Sequence, residues 1–155
     1  MALLDAYNQK TEKFGLTLTE QEAKELIVRR NESLKKYGRV EFGRGILDKI
    51  VYNFCDSQYV SQENYLAVLT RLQDIFYHFK NESQDKMTDD ELLTFMRQQF
   101  ESVCFGDLDY LEDTCLERAK AVRGGYQGFT ESGGLDEYEA LSEEKRWDDE
   151  LYQSC

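Results

Sequence analysis

His78 is the only histidine in the chain, so any imidazole chemistry rests on it. Asp74 stands one helical turn earlier, close enough to hold or charge the ring. A di-iron Glu-x-x-His pattern needs a carboxylate at position 75, which is Ile75, and no HExxH occurs. The lone imidazole therefore reads as a structural or surface group. Asp107, Asp109, Glu112 and Asp113 invite a calcium reading. An EF-hand loop starting at Asp107 would require Gly at its sixth position and Glu at its twelfth, where Glu112 and Arg118 stand. The cluster fits a capped helix start better, with acidic side chains at the positive end of the helix dipole. No metal and no cofactor is expected.

Gly43-Arg44-Gly45 is a fragment of a glycine-rich loop, but neither GxGxxG nor GK[ST] follows, so a nucleotide-binding fold has no support. A smaller feature survives. Glycines ahead of a helix expose free amide groups, and Arg39 and Arg44 flank them, which makes Arg39, Arg44 and Gly45 a candidate anion site. Arg29, Arg30, Lys35 and Lys36 give the preceding helix a basic outer face, read as a solvated surface or as a dock for something acidic. The cysteines at 55, 104, 115 and 155 form no CxxC and no zinc spacing. The first three fall on apolar stripes, where a reduced thiol behaves as a small apolar residue.

The elements that must position these groups are helical. Prolines number 0, where average usage of roughly 5% would give about eight. The longest apolar-rich run, Glu63 to Glu82, carries Tyr65, Leu69, Leu72, Phe76 and Phe79 alongside Leu66, Val68, Ile75 and Tyr77. That arc is wider than a surface stripe and demands neighbours on two sides. It is expected to be the central helix, near 62–82, with Ser61 as its cap. Before it come a short helix over 2–13, ended by Gly15 in a left-handed cap, and a helix opened by the capping box Thr19 to Glu22 and closed at Gly38. A one-sided helix built on Ile46, Leu47, Ile50, Val51, Phe54 and Cys55 follows them. After it, Thr88 to Glu91 repeats the capping box ahead of Leu92, Leu93, Met96, Phe100, Val103 and Cys104. Asp107 caps a last helix with Leu108, Leu111, Cys115, Ala119 and Val122 inward. The expected fold is all-α, a compact bundle of five or six helices over 1–125.

Residues 126–155 change character: five of the ten glycines lie within 124–134, and an acidic stretch with spaced aromatics follows. This reads as a Gly-rich linker and acidic tail, with one short helix near 143–153 that would bring Trp147 and Leu151 together. The formal charge of −12 is uneven, at +1 over 1–60, −4 over 61–106 and −9 over 107–155. Such a balance argues against direct binding to nucleic acid or an anionic membrane. No apolar run approaches the roughly 20 residues of a membrane span, and the start MALLDAYNQK has no cleavable-signal character. A cytoplasmic protein is expected.

Arg30-Asn31-Glu32-Ser33, Val40-Glu41-Phe42-Gly43, Phe54-Cys55-Asp56-Ser57 and Phe79-Lys80-Asn81-Glu82-Ser83 lie between about Thr17 and Asp113. On these residues the chain resembles an uncharacterised family of small bacterial helical proteins. The resemblance implies no activity and no site. From the residues themselves the leading expectation is a non-catalytic protein-binding or regulatory module, its partner another protein or its own tail. The partner-binding candidates are Tyr138, Trp147 and Leu151 with Arg29, Arg30, Lys35 and Lys36. The alternatives are an enzyme whose site assembles only in three dimensions and an acidic nucleic-acid-mimic inhibitor. An exposed apolar groove would favour the binder, a deep pocket with perturbed carboxylates the enzyme, and evenly spaced surface acids the mimic.

Overall fold

In the computed structural model the described residues are 2–41, 43 and 45–124. Arg44, Tyr138, Trp147, Leu151, Cys155 and the expected helix near 143–153 lie outside them. The described chain forms α1 (Ala2–Thr11), α2 (Glu20–Lys36), α3 (Leu47–Phe54), α4 (Tyr65–Glu82), α5 (Asp89–Ser102) and α6 (Leu108–Arg123). A 3-10 turn, Glu12–Phe14, extends α1, and no strand is present among the described residues. The fold is an all-α bundle.

Helix starts and stops follow local chemistry. Both capping boxes close as the sequence predicts. The Glu22 and Glu91 amides donate to the Thr19 and Thr88 hydroxyls at 3.0 and 3.1 Å. In return, the two Glu carboxylates accept from the cap amides at 2.9 and 2.8 Å. Asp107 caps α6 by accepting from the Tyr110 amide at 3.0 Å. Gly15, at φ 77°, is the left-handed residue that ends the first segment.

The central helix starts later than expected. Asn64, not Ser61, precedes it, and the Asn64 side chain turns back to accept from the Ser61 amide at 2.8 Å. Ser61 is therefore part of the turn and caps nothing. Val103 also departs from the inward stripe and is 37% exposed, because α5 ends at Ser102 and the helical period no longer applies.

Helix α4 is the axis of the bundle, with α2, α3, α5 and α6 packed around it. Tyr65, Val68, Leu69, Leu72, Ile75, Phe76, Tyr77 and Phe79 are all buried, which no single face of a helix can achieve. Gln73 is buried too, and its amide donates to the Leu26 carbonyl of α2 at 3.2 Å. Polar contacts pin the outer helices. The Tyr7 hydroxyl of α1 donates to Asp48 of α3, and Arg123 of α6 donates to the Glu82 carbonyl at 2.8 Å and its carboxylate at 2.9 Å.

Phe76 has no solvent contact and packs edge-on to Tyr77 at 5.4 Å between centroids. Phe76→Ala should cost about 3–5 kcal/mol in urea unfolding, the usual range for removing a buried Phe. A second expectation concerns alkali. Burial pushes the Tyr65 hydroxyl from 10.0 up to about 12, and Tyr77 shifts in the same direction, from burial first and its Glu41 partner second. The folded chain keeps these protons where the unfolded chain releases them, so their contribution is intact below about pH 10 and lost as pH rises through about 12. Stability from urea unfolding should fall across that interval, less steeply in Tyr65→Phe.

Candidate functional site

The loop between α2 and α3 holds the first candidate. Gly45 sits at φ 58° and leads through Ile46 into α3. The helix start is occupied by a carboxylate of the same chain: Glu41 Oε1 accepts from the Ile46 amide at 3.3 Å and from the buried Tyr77 hydroxyl at 2.6 Å. Arg39 does not flank this point. It donates to Asn81, and its second terminal nitrogen pairs with Asp85 at 2.6 Å. The anion expected beside Gly45 is thus supplied internally, and Arg39 is spent on fastening the loop to the end of α4.

The basic face of α2 is narrower than its sequence implies. Arg30 is only 7% exposed, and its guanidinium donates to the Gly43 carbonyl at 2.7 Å. It supports the glycine loop from beneath. The spacing contained the clue, because Arg30 stands four residues after Leu26 and four before Leu34, within the buried stripe. Arg29 is shared between Glu25 at 3.5 Å and Glu32 at 3.0 Å, and Lys36 lies 3.5 Å from Asp74. Lys35 is exposed. These residues form no single basic surface.

His78 finds its carboxylate on another helix. Asp74 is engaged by the hydroxyls of Ser33 at 2.8 Å and Tyr37 at 3.1 Å, whereas His78 Nδ1 meets Glu112 Oε2 of α6 at 2.8 Å. A carboxylate there makes Nδ1 the donor. Tyr37 stacks on the imidazole, and Arg71 bridges Glu112 and Asp109, both at 2.9 Å. The set clamps α2, α4 and α6 together. Among the described residues no hydroxyl or thiol joins the ring, and burial pushes the thiol pKa values of Cys55, Cys104 and Cys115 up, which weakens them as nucleophiles. Among the described residues no group of His, Cys, Asp and Glu is arranged to hold a metal ion.

A further recess is almost wholly apolar. Leu4 and Tyr7 of α1, Leu18 from the turn before α2, Ala23, Ile27 and Val28 of α2, and Leu47 of α3 line a groove of about 480 Å³, whose floor of Leu4, Tyr7, Leu18, Leu26 and Leu47 is buried. Its volume falls within the range of small-ligand and side-chain pockets. Among the described lining residues Lys24 is the only charged one, and Val28 is 52% exposed. No helix among the described residues is long and apolar enough to cross a membrane.

The chain belongs to a family of unknown function, DUF6323. The family match runs over residues 3–128 and so takes in every described helix with its groove. No curated protein and no solved structure matches the chain.

Sequence reasoning missed the groove because its walls come from three helices. Val28 was the available signal, an apolar residue off the inward stripe of α2. It missed Glu41 because a loop carboxylate has no period to betray it. A Cβ at Gly45 would stand 1.8 Å from Glu41 Oε1. Gly45→Ala must therefore adopt a left-handed backbone and push Glu41 away from the buried Tyr77 hydroxyl. Together these should cost about 2–4 kcal/mol in urea unfolding, with the Tyr77 environment altered in near-ultraviolet circular dichroism.

Proposed function

We propose that this chain is a non-catalytic, cytoplasmic protein-binding module that takes the apolar face of a partner helix into the groove between α1 and α2. The groove carries the reading. An apolar recess with few polar groups is the usual form of a binding pocket, and laying an amphipathic helix in such a groove is a common recognition mode. Val28 and the half-buried Ala23 and Ile27 supply contact area, and Lys24 at the lining gives a partner acid one fixed point.

The other readings draw less support. An enzyme would need a nucleophile or base in a pocket, whereas the His78 and Glu112 pair is tied into a clamp between helices. A nucleic-acid mimic would present unpaired acids. Here Asp89 and Asp90 pair with Lys80 and Lys49 at 2.5 and 2.8 Å, and Asp109 and Glu112 pair with Arg71.

Display selection of helical peptides against the full chain provides the test. Selected peptides should share apolar residues three or four apart and shift the amide resonances of residues 23–28. Val28→Asp should weaken them at least about tenfold, as expected for a charge placed against an apolar contact. Peptides that bind equally well to Val28→Asp would overturn the reading.

A further inference from the structure

The groove has one occupant within reach in the same molecule. We infer that the C-terminal segment of this chain, anchored by Trp147 and Leu151, folds back into the α1–α2 groove and covers it until a partner displaces it. The inference rests on the groove reading above and adds an intramolecular competitor to it.

Reach comes first. Arg123 at the end of α6 is fixed to Glu82, in the last turn of α4. Asn81 of that same turn donates to the Tyr37 carbonyl at 2.7 Å, so the end of α2 lies beside it. The tail therefore departs near the C-terminal end of α2. Val28 is nine residues back along that helix, about 14 Å at the standard rise. A chain of this many residues, 125 to 147, has as a random coil a root-mean-square span of about 26 Å. That is enough to follow α2 to the groove and cross the width of one helix. A tether of this length holds its anchors at an effective concentration of about a millimolar, so even weak docking is populated.

Chemistry selects the segment. Residues 125–155 carry nine acids and two bases, yet among them stand Tyr138, Leu141, Trp147 and Leu151. Large apolar side chains have no use in a purely solvating acidic tail, whereas an apolar groove accommodates them. Asp148, Asp149 and Glu150 separate Trp147 from Leu151. Anchors seated in the groove bring these acids to its edge, where Lys24 has no ion-pair partner among the described residues. Three of the other cations of α2 are committed elsewhere. Arg30 is buried under the glycine loop, Arg29 lies between two glutamates, and Lys36 is paired with Asp74.

Trp147 is the only tryptophan, so emission of the full chain reports the tail alone. Wild-type emission should be blue-shifted and unchanged between 1 and 50 µM protein, about a fiftyfold range over which bimolecular docking would vary. Val28→Asp and, separately, Lys24→Glu should shift it to the red and raise acrylamide quenching about threefold or more for the first and less for the second, with far-ultraviolet circular dichroism confirming that both variants fold. Three results would overturn the inference: solvent-exposed emission in the wild type, shielded emission that neither variant moves, or shielding that appears only as concentration rises. None of these alters the peptide selection, which stands or falls on Val28→Asp binding, so failure of the tail and failure of the groove are distinguishable.

Discussion

Helix α4 places Phe76, Tyr77 and Phe79 within four consecutive residues, and none of them touches solvent. A helix turns about 100° per residue, so these rings point in three directions and each needs a wall. α2, α3, α5 and α6 provide those walls, and their own apolar stripes are one-sided because each has only α4 and its immediate neighbours to face. The architecture follows from that asymmetry. One helix is buried nearly all round, and the others are arranged about it with their charged faces outward.

Apolar packing does not by itself choose the rotation and height of each helix, and the polar contacts serve that end. Most are ion pairs near the surface, such as Lys49 with Asp90 or Arg97 with Asp56, which contribute at most about 1 kcal/mol each. The buried contacts matter more. Tyr77 has no route to water, and its hydroxyl is satisfied by Glu41, which also holds the first turn of α3. Leaving such a hydroxyl unpaired costs about 1–3 kcal/mol. The α2–α3 loop is therefore shaped from below, by the needs of the core. That explains why Glu41 fills the start of α3 beside Gly45.

Family membership and the groove bear on each other. Every residue that lines the groove lies within 3–128, the stretch matched to the family of unknown function, whereas Tyr138, Trp147 and Leu151 lie beyond it. The groove accordingly lies within the stretch that the family match covers, and the proposed anchors lie outside it. A binding module with its own tethered competitor has a simple logic, since a partner must outbid an occupant whose concentration is set by tether length. Release can then follow from anything that weakens the tail, including salt, because exposed charges are screened over about 8–10 Å near physiological ionic strength.

Local rules made much of the fold legible. Two capping boxes, an aspartate cap, the left-handed glycine at 15 and three apolar stripes were readable because each depends on residues within a few positions of one another. The wide arc on α4 also announced its central place. Legibility ended where contacts cross between elements. Arg30 carries the same charge as Arg29 and was grouped with it, although only its place on the stripe of α2 decided that it would be buried. Asp74 lay one turn from His78 in sequence, yet Ser33 and Tyr37 claimed it, and Glu112 reached the imidazole from α6. Periodicity alone determined which helices form and which faces they bury. Only the tertiary structure decided which charges meet and where the surface stays apolar, because a partner across the bundle is chosen by distance in space, which sequence separation does not encode.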